Sequence, residues 1–155
     1  MKLSKLLYKE YIRLNLQDKP KEQLIEDLVD IFFINNAIKP LYRERVITAV
    51  INREHLGSTG LEHGIAVPHA KTGAVSELTM ALGISKTGIP FDSFDGSPTH
   101  LFFLLLAPPQ ITGPHLKTLE GIARITKDDT TRFDLINART PEEVVSIILK
   151  ADQKG

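Results

Sequence analysis

The chain has 155 residues, a formal net charge of zero and no cysteine, and hydrophobic residues make up 42% of it. This size and composition predict one globular domain over residues 1–155, with its core between about residues 3 and 150. The balanced charge argues against a nucleic-acid partner, and the lack of thiols excludes disulfides, cysteine catalysis and sulfur-based zinc sites. We expect a cytoplasmic protein without a segment inserted in the membrane, because the longest apolar run, Leu101–Ala107, is too short to span a bilayer.

Hydrophobic spacing and turn residues predict two helices, then several strands, then two or three helices. The first part should contain, in order, a short helix or turn, a strand at Tyr11–Leu14, a helix from Lys19 to about Asn35 or Asn36 with Asp18 as its N-cap, and a helix at about Leu41–His55 that stops at Gly57.

The second part of the chain carries the strands and the remaining helices. The expected elements are strands at 65–67, 78–85 and 99–107, a loop at 71–76, a turn at 86–88, a loop at 89–98 with Phe91 and Phe94 tucked in, helices at about 114–127, 130–136 and 141–151, and a frayed tail at 152–155. The run at 99–107 is continuously apolar, which predicts a strand buried on both faces in the middle of a sheet. The pattern therefore predicts an α/β or α+β fold with about five strands and helices on both faces of the sheet.

The glycine-rich stretch from Gly57 to Gly73 is the part of the chain around which a site is expected. Ile65-Ala66-Val67 is a short apolar run that predicts a buried strand ending at Pro68. Since proline fixes its own φ and donates no hydrogen bond, His69 should leave that strand with its direction fixed. Such a placement suits a nucleophile, and the simpler alternative is a histidine in a surface loop.

Two of the five histidines share an arrangement that indicates chemistry. His69 and His115 each follow a proline, and each stands where a strand gives way to a loop or a helix. If the two strands that end near them are neighbours, the two histidines converge. The first turn of the helix expected at His115 favours an anion, and a neutral imidazole is a competent nucleophile at physiological pH.

Phosphoryl transfer suits such a site. Arg53, in the last turn of the second helix, and the nearby Ser58 and Thr59 are candidate phosphate ligands. The alternative is that the two histidines lie at the edge of the core and that Arg53 is only a helix cap. His55 and His100 are expected to be structural.

Other chemistries lack their motifs in this sequence. There is no phosphate-binding loop with the spacing GxxxxGK[ST], no serine acyl-enzyme motif set and no HExxH zinc motif, so neither a metal nor another cofactor is expected. Asp92 and Asp95 resemble paired catalytic carboxylates only superficially, and a turn is expected there.

A resemblance to a known family rests on three segments. Arg53–Gly60 (REHLGSTG) followed by Gly64–Ala70 (GIAVPHA) resembles the active-site motif of enzyme IIA domains of the fructose/mannitol type, which belong to the bacterial phosphoenolpyruvate-dependent sugar phosphotransferase system. The similarity includes Gly113–Leu119 (GPHLKTL), the family's second histidine region, and covers about residues 1–150. The LGSTG run is most similar to the stand-alone, nitrogen-regulatory subgroup.

The resemblance implies a mixed sheet, a phosphoryl group on Nε2 of His69, and roles for His115 and Arg53 in orienting and holding that group. The implied donor is the histidine-containing phosphocarrier protein, and the implied acceptor is an enzyme IIB or a regulatory target protein. Glu62, His63 and Pro68 would lie beside the site. Glu62 departs from the family, which has a small residue there, and its carboxylate can repel the phosphohistidine or hydrogen-bond His69 or His63.

Three functions remain open at this point. The chain can pass its phosphoryl group on in sugar uptake, or its phosphorylation state can regulate binding to other proteins without onward transfer. The third alternative is a metal-independent phosphoester hydrolase that uses His69 and His115 as acid and base.

Overall fold

The computed structural model describes residues 2–111 and 113–154, with only the backbone for residues 113–115. Its helices are α1 (Lys21–Ile34), α2 (Arg43–Leu56), α3 (Gly113–Thr126), α4 (Asp129–Ile136) and α5 (Pro141–Lys154). Its strands are β1 (Ile12–Arg13), β2 (Ile65–Ala66), β3 (His69–Lys71), β4 (Thr79–Ile89) and β5 (Thr99–Ala107). Single 3₁₀ turns lie at Leu3–Lys5, Lys9–Tyr11 and Pro40–Tyr42. No helix in the described part of the chain is long and apolar enough to cross a membrane.

The strands form one mixed sheet in the order β1-β4-β5-β2, and β3 also pairs with β5. The β4–β5 pair is antiparallel, whereas β1 runs parallel to β4, and β2 and β3 run parallel to β5. The apolar run at 99–107 is therefore an inner strand, as predicted.

Side chains of β5 alternate between two hydrophobic clusters, because successive residues of a strand point to opposite faces. Phe102, Leu104 and Leu106 pack with residues of α1 and α2, and Leu101, Phe103 and Leu105 pack with residues of α3, α4 and α5. The predicted fold class, an α/β sheet with helices on both faces, is confirmed.

The predicted turn at residues 86–88 was wrong, because β4 continues through it to Ile89. The chain accommodates the polar residues with a bulge: the register with β5 shifts between Ile84 and Ile89, and Gly88 takes φ +89°. The backbone N–H of Gly88 donates to Ser85 Oγ at 3.0 Å, which replaces a ladder bond. The loop that follows buries Phe91 as predicted, but leaves Phe94 84% exposed.

The predicted end of the strand before Pro68 is confirmed, since β2 ends at Ala66, but the chain stays beside β5 after the proline. His69 is the first residue of β3 and pairs with Leu105, and the expected loop starts only after Lys71. Pro68 cannot donate a hydrogen bond, but its carbonyl accepts one from the Leu105 N–H at 3.0 Å. The proline therefore removes one N–H donor between β2 and β3, while its carbonyl still accepts a hydrogen bond from β5.

The start of helix α1 differs from the prediction. Asp18 does not cap α1; Pro20 occupies the N-cap position, and no side chain there makes a capping hydrogen bond.

The end of helix α5 also differs from the prediction. Helix α5 runs to Lys154, so the tail expected to fray is helical, and Asp152 is only 3% exposed. The Asp152 carboxylate accepts hydrogen bonds from the backbone N–H groups of Leu3 and Ser4 at 3.3 and 2.8 Å, which joins the two ends of the described chain.

We predict that Asp152→Ala lowers the free energy of unfolding by about 1–3 kcal/mol, because it leaves two backbone donors without their acceptor. The substitution also removes the ion pair with Arg124, whose Nη2 lies 3.6 Å from Oδ1. Urea unfolding measures the change, and Lys150→Ala, at an exposed position of the same helix, is the matched control. Equal stability of the two variants would contradict this role for Asp152.

Candidate functional site

The segment between α2 and β2 folds back on itself and brings the end of α2 toward His69. The N–H of Val67 donates to the carbonyl of Thr59 at 3.0 Å, and Gly60 forms an antiparallel bridge with Ala66. This close fit requires a glycine at 60, because a Cβ there would lie 2.8 Å from the Cα of Ser93. The segment 57–60, called the site loop below, is thus held between the strand that leads to His69 and the loop after β4.

His69 is half-buried, and its ring is oriented by the backbone of its own segment. Nδ1 lies 2.8 Å from the carbonyl oxygen of Val67. Since a carbonyl can only accept a hydrogen bond, Nδ1 carries the proton, and in the neutral ring Nε2 carries the lone pair. Nε2 is therefore the ring nitrogen that is available to act as a nucleophile.

The surroundings of His69 lower the pKa of its imidazole. Burial is the largest cause, because it disfavours the charged ring; the bond to the Val67 carbonyl opposes it, the charge of Arg53 lowers the pKa further and that of Glu54 raises it. The net lowering keeps the ring neutral at physiological pH, the state in which it is a nucleophile.

Arg53 lies in the last turn of α2 and is tied to the site loop. Its Nη1 donates to the carbonyl of Gly57 at 2.9 Å, just beyond the end of the helix. The positive charge of Arg53 also lowers the pKa of the His69 imidazole. A guanidinium has five N–H donors, so it can keep this bond and still donate to an anion.

The hydroxyl groups of Ser58 and Thr59 donate their protons within the protein. Ser58 Oγ donates to the carbonyl of Phe91 at 2.8 Å, and Thr59 Oγ1 donates to Glu54 Oε1 at 2.6 Å. Each hydroxyl has one proton, so in this arrangement both groups fix the site loop. Their predicted contact with phosphate stays a prediction, and it would require these bonds to change.

Sequence reasoning missed two charged residues, Glu54 and Lys21, that contact the site loop through their side chains. The Glu54 side chain is only 2% exposed; it accepts from Thr59 N and Oγ1, and the ammonium of Lys21 lies 2.7 Å from its Oε2. Lys21 also lies 3.2 Å from Asp92 Oδ2 and 4.5 Å from the centre of the Phe91 ring. Glu54 stands in a polar stretch next to Arg53, and no local pattern links it to a lysine 33 positions earlier.

Glu62 and His63 lie on the exposed turn before β2. The Glu62 carboxylate lies 3.8 Å from His63 Nε2, which is longer than a hydrogen bond, so its predicted hydrogen bond to a histidine stays a prediction. His63 takes φ +63°, a left-handed conformation that the N–H···Oδ2 bond to Asp95, 3.3 Å long, helps to hold. Asp95 also accepts from the N–H of Ser97, which agrees with the predicted turn.

The side chains of His55 and His100 are described by the structure, whereas that of His115 is not. His100 Nδ1 donates to the Ser85 carbonyl at 2.9 Å, as expected of a structural histidine, whereas His55 is exposed near the end of α2 with its Nε2 3.3 Å from Glu22. His115 is the third residue of α3, but its side chain lies outside the described residues, and so does its predicted role. Among the described residues, no group of three or more histidines and carboxylates is arranged to hold a metal ion.

The backbone shows how the strand that bears His69 lies relative to the segment that leads to His115. β3 and β5 run parallel, with Lys71 opposite Ala107, and α3 begins six residues after β5 at Gly113. Both histidine-bearing segments therefore belong to the same end of the sheet.

Comparison with known proteins gives a family match over nearly the whole chain. The family model described as "Phosphoenolpyruvate-dependent sugar phosphotransferase system, EIIA 2" matches residues 5–151. The fructose-specific EIIABC component of Bacillus subtilis is 35% identical over 153 residues, which are 99% of this chain but only 24% of that protein. The chain thus spans about a quarter of that larger relative.

Two further relatives belong to the nitrogen-regulatory proteins. The nitrogen regulatory protein of Escherichia coli is 34% identical over 152 residues, 96% of this chain and 90% of that protein. The crystal structure of the nitrogen regulatory protein IIA-Ntr of Neisseria meningitidis superposes with a TM-score of 0.84 at 30% identity, covering 94% of this chain and 98% of that one. The resemblance seen in the sequence is confirmed: the chain belongs to the EIIA type 2 family of the phosphoenolpyruvate-dependent sugar phosphotransferase system and is a phosphotransferase component.

Proposed function

We propose that this protein is a histidine phosphocarrier that accepts a phosphoryl group on Nε2 of His69 from the histidine-containing phosphocarrier protein. It then passes the group to an enzyme IIB or uses the phosphorylated state to regulate a target protein. The observation that carries the proposal is the 2.8 Å hydrogen bond between His69 Nδ1 and the Val67 carbonyl, which directs the lone pair of the neutral ring to Nε2.

The transfer of the phosphoryl group to His69 needs no general base, because the attacking Nε2 carries no proton. The Nε2 lone pair attacks phosphorus, the P–N bond to the donor histidine breaks, and the electron pair of that bond stays on the donor ring. The proton on Nδ1 stays where it is, so the phosphorylated ring of His69 is formally cationic. The Val67 carbonyl accepts that proton's hydrogen bond throughout, which stabilises the cationic ring.

Positive charge and backbone donors stabilise the transferring phosphoryl group. The Arg53 guanidinium supplies charge and N–H donors, and the start of α3 supplies helix N–H groups that favour an anion. We assign His115 the role of orienting the phosphoryl group, on the family resemblance of Gly113–Leu119 and its place in the first turn of α3.

A protein partner is supported by an apolar surface beside the site loop, where the N–H of Phe94 donates to the Gly60 carbonyl at 3.1 Å. Phe94 is 84% exposed and Leu61 is 45% exposed, and both line a cavity of about 370 Å³ that reaches Ile65 and the α3 residue Ile122. Large apolar side chains that are exposed together are typical of a docking surface. In the mannitol system of Escherichia coli, an enzyme IIA with the same fold (TM-score 0.77, 20% identity) forms a complex with phosphorylated enzyme IIB.

The regulatory use of the phosphorylated state is the second candidate. It is supported by the Escherichia coli and Neisseria meningitidis nitrogen-regulatory proteins, which match over almost their full length. Both uses share the phosphorylation of His69 and differ in the acceptor. Incubation of the phosphorylated protein with an enzyme IIB distinguishes them, because only the carrier passes the phosphoryl group to the IIB cysteine.

We predict that His69→Ala abolishes phosphoryl acceptance. Intact-protein mass after incubation with phosphoenolpyruvate, enzyme I and the histidine phosphocarrier should show one acid-labile phosphoryl group in the wild type and none in the variant. The matched control is His55→Ala, an exposed histidine at the end of α2 that should still be labelled. Full labelling of His69→Ala would refute the assignment, and turnover of a small phosphoester without a protein donor would favour the hydrolase alternative.

We predict that phosphoryl acceptance keeps its full rate as the pH is lowered through the ordinary histidine pKa of about 6.5 and falls only in more acidic solution. The reason is that burial lowers the pKa of His69, so its ring stays neutral where an exposed histidine is half protonated. Initial rates from a saturating phosphorylated donor give the profile, and NMR titration of the His69 ring separates it from titration of the donor. A His69 midpoint at or above 6.5 would contradict the prediction.

We predict that Arg53→Gln slows phosphoryl acceptance by about 10²-fold, the typical effect of removing one donor that stabilises a transition-state oxyanion. Arg53→Lys should be intermediate, because lysine keeps the charge but not the planar set of donors. Rapid-quench rates measure the loss, and Arg45→Gln, an exposed arginine of the same helix, is the control. If Arg53→Gln and Arg45→Gln react equally fast, Arg53 does not hold the phosphoryl group.

A further inference from the structure

We propose that Lys21 is a positioning residue for the phosphoryl site: its ammonium neutralises the buried carboxylate of Glu54, which holds the site loop against the strand that leads to His69. The inference rests on the proposed function, because positioning is defined here by phosphoryl transfer to His69. We call Lys21, Glu54 and Thr59 the Lys21 network.

The Lys21 network is built around a carboxylate that needs a counter-charge. Glu54 is on the last turn of α2, its side chain is 2% exposed, and Lys21 Nζ lies 2.7 Å from its Oε2. A buried carboxylate is unfavourable unless it is paired and hydrogen-bonded, and Glu54 has both kinds of partner. Its neighbour Arg53 is bound to the carbonyl of Gly57, so Lys21 is the cation that the described contacts give to Glu54.

Hydrogen bonds connect this pair to the reactive ring without a break. Glu54 Oε2 accepts from the N–H of Thr59 at 3.0 Å, the Thr59 carbonyl accepts from the N–H of Val67 at 3.0 Å, and the Val67 carbonyl accepts from His69 Nδ1 at 2.8 Å. A shift of the carboxylate would therefore be passed to the carbonyl that orients the imidazole. This is a mechanical reason for Lys21 to affect a ring that it does not touch.

The charges give a second reason. The charge of Glu54 raises the pKa of His69, and a phosphoryl group at that ring is an anion that the carboxylate would repel. Among the described residues, contacts and charge effects connect Arg53 and Glu54 of α2, Lys21 of α1 and Asp92 after β4 to the ring or the network. Removal of Lys21 would leave two carboxylates against one arginine in this group.

The position of Lys21 suits this role. It is the first residue of α1, and its ammonium lies 4.5 Å from the centre of the buried Phe91 ring. A cation over an aromatic face is held by the ring quadrupole, which restricts the rotamers of a long side chain. Lys21 Nζ also lies 3.5 Å from Ser58 Oγ. The same ammonium therefore contacts Ser58 directly and contacts the Glu54 carboxylate to which Thr59 is hydrogen-bonded.

A double-mutant experiment tests whether Lys21 acts by neutralising Glu54. Lys21→Met leaves the carboxylate unpaired and should slow phosphoryl acceptance about tenfold, within the range of coupled buried charges. Adding Glu54→Gln removes the charge: the amide oxygen can accept from Thr59 N while the amide NH₂ donates to Thr59 Oγ1. The double variant should therefore accept phosphoryl groups faster than Lys21→Met does. Lys39→Met, at an exposed position, is the control.

A purely structural role for Lys21 predicts no gain in rate from the second substitution. If Lys21 only fastens α1 to the site loop, the double variant loses the same contact and is no faster than Lys21→Met, and that result would overturn the proposal. An unchanged rate in Lys21→Met would also overturn it. Absence of label on wild-type His69 would instead refute the proposed function, so the two failures are distinguishable.

NMR titration of His69 is the second measurement and does not need activity. The pKa of His69 should rise in Lys21→Met, because the charge of Glu54 is then unbalanced, and should fall again in the double variant. If Lys21→Met does not fold, Glu54→Gln alone serves: with the carboxylate removed, the pKa of His69 should fall below the wild-type value. A pKa that is the same in wild type and Glu54→Gln would overturn the proposal.

Discussion

The hydrogen bond from His69 Nδ1 to the Val67 carbonyl is the interaction on which the rest of the site depends. It fixes the tautomer, and so it decides which nitrogen can act as a nucleophile. The site loop holds Val67 on its N–H side, because that N–H donates to the Thr59 carbonyl. Proline at 68 contributes by fixing the backbone between Val67 and His69, while its carbonyl keeps the chain bound to β5.

Much of the fold could be predicted from the sequence, because local patterns reported it. The apolar run at 99–107 gave the inner strand with its boundaries, and the proline and capping residues at 140–143 gave the start of α5, where the N–H of Glu143 donates to Thr140 Oγ1 at 3.1 Å. The motif around His69 gave the family, since its residues are adjacent in the chain.

What the sequence did not reveal depends on residues far apart in the chain. The bulge at 85–88 looked like a turn because lysine, threonine and glycine are ordinary turn residues, and only pairing with β5 keeps them in a strand. Exposed Phe94 looked like a core residue by type. The pairing of Lys21 with Glu54 joins the start of one helix to the end of the next, and burial, which no single-sequence pattern reports, is what makes it important.

The most direct test of the account is to identify the nitrogen of His69 that carries the phosphoryl group. Long-range ¹H–¹⁵N NMR spectra of ¹⁵N-labelled, phosphorylated protein distinguish the two ring nitrogens and report which one is protonated. The account predicts phosphorus on Nε2 and a proton on Nδ1, still bonded to the Val67 carbonyl. Phosphorus on Nδ1, or on another histidine, would contradict it, because the hydrogen bond would then not select the nucleophile.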